Sequence, residues 1–254
     1  MYFYIYDSFL NNKKYENTIH RIEARLFDLG LSGHIEKLTI LKSMKEVVNE
    51  ALKRNAETIV AVGNDHTISK IISFLPNHSV VLGIIPIGRD NKIARVLGVE
   101  EGEKACDILS ARVVEKIDLG KVNNSYFLSC LEIPSHEDLV IECENYNIIP
   151  LAHDNRISIC NFGNIFQNKK ERIYNPKDGL LEAVISESGG AGLFNIFKQS
   201  YEKDSIFPIK KIKIKSTRES IPLMADGSTV VKTPVEVEVL PKKLKIIVGK
   251  NRLF

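Results

Sequence analysis

Apolar residues in the first half of the chain fall into short unbroken runs that alternate with stretches at helical spacing. Tyr2–Tyr6 reads as a first strand, closed by a loop over residues 7–14. Ile19, Ile22, Leu26 and Leu29 then line one face of a helix that Gly30 terminates. Residues 34–40 form a second strand, and Ser43 with Glu46 makes a capping-box pair ahead of Val47, Val48, Ala51 and Leu52. Residues 58–62 and 80–85 are rich in β-branched side chains and bounded by polar loops. That pattern suits strands buried on both faces of a parallel sheet. The loop Gly63-Asn64-Asp65-His66-Thr67 leads into Ile68, Ile71, Ile72 and Leu75 at helical spacing. The loop Pro86-Ile87-Gly88-Arg89-Asp90-Asn91 leads into Ile93, Ala94 and Leu97, with Gly98 as a stop. A helix over 101–111 and a strand over 113–117 complete a doubly wound α/β layer.

The period changes after Gly120. Residues 126–133, 138–144 and 156–162 are strand-like, and 179–185, 208–215, 235–240 and 244–248 continue the pattern; only 193–201 reads as helical. Short strands separated by turn signals predict an antiparallel β-sandwich. The expected division is therefore 1–120, a nucleotide-binding α/β domain, and 121–254, a β-sandwich substrate domain. The last strand of the second is expected to return toward the first.

Composition changes this picture little. The apolar share of 44% and charged share of 26% are ordinary for a globular protein. A net charge of +3 argues against a nucleic-acid binder or a polybasic membrane anchor. Cys106, Cys130, Cys143 and Cys160 are scattered, with no C-x-x-C pair, and read as small buried hydrophobes in a reducing compartment. No apolar run approaches the roughly 20 residues that span a bilayer, and the amino terminus lacks the pattern of a signal peptide. The expected location is cytoplasmic, with at most peripheral, transient contact with the inner membrane surface.

Loops that leave parallel strands gather at one edge of the sheet, where helix N-termini offer N–H groups and partial positive charge to anions. The loops 63–67 and 86–91 are a candidate phosphate cradle on that ground, and ordinary helix caps on the other. Asp65 reads equally as a cap of the helix that starts near His66. Asp226-Gly227 and Asp178-Gly179 read equally as turns. The lysines at 210, 211, 213 and 215 read as guards of an edge strand.

The GNDHT of residues 63–67 resembles the GGDGT motif of the diacylglycerol kinase catalytic superfamily, which includes sphingosine kinases and bacterial lipid kinases. PIGRDNKIARVLG, residues 86–98, is similar to that family's P-x-GT-x-ND-x-AR-x-LG. IDLGKVNNSYFL, NPKDGLLEAVIS and ADGSTVVKTPVEVEVLPKKLKIIV resemble its later blocks in order and spacing. The resemblance implies an N-terminal doubly wound domain of the NAD kinase/diacylglycerol kinase type and a C-terminal β-sandwich. It also implies ATP and Mg²⁺ as cofactors and a lipid or small-molecule hydroxyl as acceptor, with a homodimer left open.

On the same resemblance, Gly63, Asn64, His66, Thr67, Pro86, Gly88, Arg89 and Asn91 lie on the nucleotide. Asp65 stands beside the phosphates, Asp226 orients the acceptor hydroxyl, and Asp178 marks a structural Mg²⁺. Lys13, Lys14, Lys92 and Arg95 are further candidates to offset phosphate charge. The departures are specific. Asn64 and His66 replace two glycines, Arg89-Asp90 replace a Thr-Gly pair, and Lys92 replaces an aspartate. Asp7-Ser8 stands where relatives have Asn-Pro, and Ser228 where they have glutamate. Two readings follow: an ATP-dependent lipid kinase of the diacylglycerol type, and a degenerate member that binds nucleotide or lipid without turnover. A soluble-substrate kinase akin to the NAD kinases, which share the GGDG loop, is a third.

Overall fold

A computed structural model describes residues 1–39, 42–75, 79–143, 147–148, 155–163, 173–187 and 205–254. The strands are β1 (Tyr2–Tyr6), β2 (Gly33–Lys37), β3 (Thr58–Gly63), β4 (Val81–Pro86), β5 (Val114–Val122), β6 (Ser125–Phe127), β7 (Cys130–Ile133) and β8 (Leu139–Glu142). They continue with β9 (Asn147–Ile148), β10 (Asn155–Cys160), β11 (Leu181–Glu187), β12 (Ser205–Ile209), β13 (Lys211–Ser216), β14 (Pro222–Ala225), β15 (Thr229–Lys232) and β16 (Val235–Ile247). The helices are α1 (Glu16–Asp28), α2 (Met44–Lys53), α3 (Asp65–Ile72), α4 (Lys92–Val96) and α5 (Lys104–Ala111). The chain forms two compact units: Met1–Ile117 with Lys242–Phe254, and Asp118–Pro241.

In the first unit the strands run β2-β1-β3-β4 and then the end of β16, all parallel. β3 is buried along its whole length, as its unbroken apolar run requires. α1 turns Ile19, Ile22 and Leu26 inward and ends at Leu29, with Gly30 at φ +67. Ser43 and Glu46 form the capping box that opens α2. Parallel strands send their carboxyl ends to one edge, so the loops after β1, β3 and β4 meet there.

The second unit is antiparallel. One sheet runs β12-β11-β10-β7-β14-β15. The other strands pair as β16-β13-β8-β9, and β5 pairs with β6. One apolar core draws on both groups, with Leu131, Ile159 and Leu223 from the first and Ile141, Ile214 and Val237 from the second. That shared core makes a sandwich.

Several strands differ from the sequence expectation. Residues 126–133 hold two strands, β6 and β7, and residues 208–215 divide between β12 in one sheet and β13 among the other strands. β13 is no edge strand: β16 pairs with it on one side and β8 on the other. Its lysines are exposed because Ile212 and Ile214 turn inward, and they meet cross-strand partners, Lys211 with Glu236 and Lys215 with Glu142. The two runs 235–240 and 244–248 are one strand, β16, whose start pairs with β13 and whose end pairs with β4. The helix expected over 193–201 lies outside the described residues.

Candidate active site

The three loops at the carboxyl edge of the first unit are laced together by buried polar groups. Asp7 follows β1 and donates its N–H to the Val62 carbonyl at 3.0 Å. Its carboxylate accepts the Thr67 hydroxyl at 2.7 Å. Asn64 and Thr67 cap α3 reciprocally, the Thr67 N–H reaching Asn64 Oδ1 at 3.3 Å and the Asn64 N–H reaching Thr67 Oγ1 at 3.2 Å. Gly63 is glycine for a local reason: a Cβ there would lie 2.3 Å from Thr67 Oγ1.

Asp65 ties the second loop to the third. Its carboxylate accepts the N–H of Lys92 at 2.8 Å and of Ile93 at 3.0 Å, and so caps α4. Its own N–H donates to the Asp90 carbonyl at 3.0 Å. The side chain is buried, where charge-assisted bonds of this kind are strong. The Ile87 N–H reaches the Gly63 carbonyl, which places Pro86 at the root of the turn.

These bonds change what the helix N-termini offer. The N–H groups of Asn64, Asp65, Thr67, Lys92 and Ile93 all go to partners within the protein. The turn between β4 and α4 is then the part facing outward. Gly88 at φ +95 and Asp90 at φ +64 shape it, and Arg89 and Asp90 are exposed. Asn91 donates Nδ2 to the Gly88 carbonyl at 3.2 Å and to Glu101 Oε1 at 3.0 Å, while its Oδ1 is buried without a hydrogen-bond partner. A cavity of about 600 Å³ adjoins this turn, lined by Asn91, Lys92 and Arg95 among others. His66 is exposed at the start of α3, with its pKa held below the usual histidine value by partial burial and then by Lys70.

In the second unit, Asp226 occupies the turn between β14 and β15. Asp226 and Gly227 have φ of +48 and +64, the left-handed pair that a tight hairpin turn demands. The Asp226 carboxylate is buried and accepts N–H groups from Leu128 and Ser129 at 2.8 Å and from Cys130 at 3.2 Å. Near β11, Asp178 accepts the Leu180 N–H at 3.0 Å, and the fully buried Asp118 accepts that of Gly179 at 2.7 Å. Glu182 Oε2 is buried with no hydrogen-bond partner, and burial followed by the Asp178 charge pushes its carboxyl up to about 7. Two carboxylates in such a place are a donor set that suits a hard cation.

Sequence reasoning assigned no role to Asp7, Glu101 or Glu182. Asp7 was within reach, because it ends a strand at the same sheet edge as the two motif loops.

The Diacylglycerol kinase catalytic domain profile matches residues 2–122. A diacylglycerol kinase of Bacillus subtilis (strain 168) is 28% identical over 129 residues, 49% of this chain and 43% of that protein. Over residues 2–122, just under half of its length, the chain is similar to the diacylglycerol kinase catalytic domain family. A diacylglycerol kinase of Staphylococcus haemolyticus (strain JCSC1435) is 36% identical over 83 residues, 31% of this chain and 25% of that protein. The matched part thus spans less than half the length of these curated family members. A diacylglycerol kinase crystal structure from Bacillus anthracis str. Sterne superposes with a TM-score of 0.75 over 98% of this chain and 97% of that one, at 17% identity. That likeness is one of fold and runs through the β-rich unit. No helix among the described residues is long and apolar enough to cross a membrane.

Proposed function

We propose that this protein is an ATP-dependent lipid kinase that phosphorylates a hydroxyl of a diacylglycerol-like lipid. The observation that carries the reading is the Asp65 tie. Phosphoryl transfer depends mainly on positioning and charge neutralisation. Asp65 holds both family-motif loops in one arrangement through bonds to Lys92, Ile93 and Asp90. The turn 88–91 is thereby fixed beside Arg89, Lys92 and Arg95, cations suited to phosphate.

In this reading ATP supplies the γ-phosphoryl group and Mg²⁺ offsets charge on the phosphates. Asn64, His66, Gly88, Arg89 and Asn91 line the nucleotide, and Asp65, with the buried Gly63, Thr67 and Pro86, holds their loops in place. By resemblance to the family motif, Asp226 would orient the acceptor hydroxyl and accept its proton. Asp178 with Glu182 would hold a structural Mg²⁺, a hard cation suited to carboxylates.

The internal use of the Asn64, Asp65 and Thr67 amides favours a second reading, in which nucleotide binds without turnover. Full-length protein with Mg²⁺–ATP and diacylglycerol in mixed micelles decides between them. Turnover to the phosphorylated lipid, with KM for ATP raised about tenfold or more in Arg89→Ala, is the expected result. A thermal shift with Mg²⁺–ATP but no phosphorylated product from any lipid hydroxyl assigns the second reading. The absence of both removes the two together.

A further inference from the structure

A second cluster of polar side chains lies apart from the loops of the candidate active site. His34 and Glu36 stand two apart on β2 and therefore on one face of the strand, while Glu50 comes from α2. One ligand-capable atom from each lies within 4.8 Å of the others. Their side chains are 31%, 20% and 29% exposed, so the cluster is shielded without being sealed. Phe3 braces the His34 ring, with centroids 4.7 Å apart.

Two features point to a cation at this place. The first is that a cation already stands there: the Lys42 ammonium donates to Glu36 Oε1 at 2.9 Å and to Glu50 Oε2 at 3.0 Å. The second is His34 Nε2, which is buried, lies 3.5 Å from Glu36 Oε2 and makes no hydrogen bond. Lysine satisfies the carboxylates but leaves the imidazole nitrogen unused, because an ammonium has no acceptor site for an N–H and no coordination position for a lone pair. A divalent metal ion takes both kinds of donor. Nitrogen and carboxylate ligands bind zinc at about 2.0–2.2 Å, which in a tetrahedral shell places them about 3.3–3.6 Å apart. A contraction of roughly 1.3 Å at the widest pair converts the cluster into a coordination shell.

We infer that His34, Glu36 and Glu50 form a binding site for one divalent transition-metal ion of the Zn²⁺ class, with Lys42 as the resident cation that the metal displaces. One imidazole, two carboxylates and a water complete a tetrahedral shell, and the ion offsets carboxylate charge that Arg54 shares at Glu50 Oε1, 2.8 Å away. The ion then pins β2 to α2. The site is independent of the kinase reading, since none of its ligands belongs to the motif loops.

Titration of the full chain with Zn²⁺ alone by isothermal calorimetry, in millimolar Mg²⁺ to occupy hard-cation sites, tests this. One ion per chain is expected, with affinity reduced about tenfold or more in His34→Gln and in Glu50→Gln. Lys42→Met removes the competing ammonium and is expected to tighten binding by a similar factor. X-ray absorption of the zinc-loaded protein should show only nitrogen and oxygen neighbours, with the scattering pattern of one imidazole. Circular dichroism of metal-free variants separates lost ligands from lost fold, and Lys42→Met gives a readout that an unfolded ligand variant cannot mimic. No Zn²⁺ uptake by the parent chain, uptake unchanged in both ligand variants, or unchanged or weaker binding in a folded Lys42→Met overturns the assignment.

Discussion

Asp65 and Asp226 were legible as residues, whereas their partners were not. Both stand in motif positions that any reader of the family pattern would mark. Each, however, has its carboxylate on backbone N–H groups far away in sequence: Lys92 and Ile93 for Asp65, and Leu128, Ser129 and Cys130 for Asp226. A side chain that accepts from amides leaves no imprint on residue type at the donor, since every residue but proline has that N–H. Asp226→Ala leaves three buried donors unpaired at once, at about 1–3 kcal/mol each before relaxation. The expected loss is about 3 kcal/mol or more, read as a fall in the urea midpoint, and activity falls with it. Glu182 gives a pH signature. Its carboxyl is raised from 4.5 to about 7 in the fold, by burial first and by Asp178 second. The fold thus favours the neutral form, so its contribution is complete below about 4.5 and is lost as pH rises through about 7. In metal-free protein, Glu182→Gln is expected to flatten the stability profile across that window in urea melts.

At the scale of elements, periodicity located the α/β layer well because its strands are buried on both faces and its helices carry standard start and stop signals. Ser43 with Glu46 and Gly30 after α1 behaved as their types dictate. Pattern was weaker in the β-rich part for two reasons. The short hairpin of β14 and β15 has exposed Met224 and Val230 and lacks a clean alternation. The lysine-rich β13 imitates an edge, although its charges are matched by glutamates on both neighbours. The glycine of the first motif shows how a loop can be misread through its family role. Gly63 makes room for the Thr67 hydroxyl, which the Asp7 carboxylate holds in place. Gly63→Ala is expected to cost about 1–3 kcal/mol through overpacking, measured by thermal melting. Adding Thr67→Ala should recover part of that loss, because the nearest clashing atom is then gone, and the double-mutant cycle reports the coupling.

At the scale of the whole molecule, order along the chain and order in the sheet disagree. The first unit takes its final strand from residues that follow the entire second unit, with Lys245 and Ile246 beside Val81 and Leu82. A ribosome making this protein at about 5–20 residues per second leaves β4 without that neighbour for roughly 8–30 seconds. During that interval the newborn layer carries an open, apolar flank suited to adhesion between nascent chains. The threading of β16 is expected to make synthesis depend on chaperones, seen as a lower soluble yield in chaperone-depleted translation than in refolding of the purified chain.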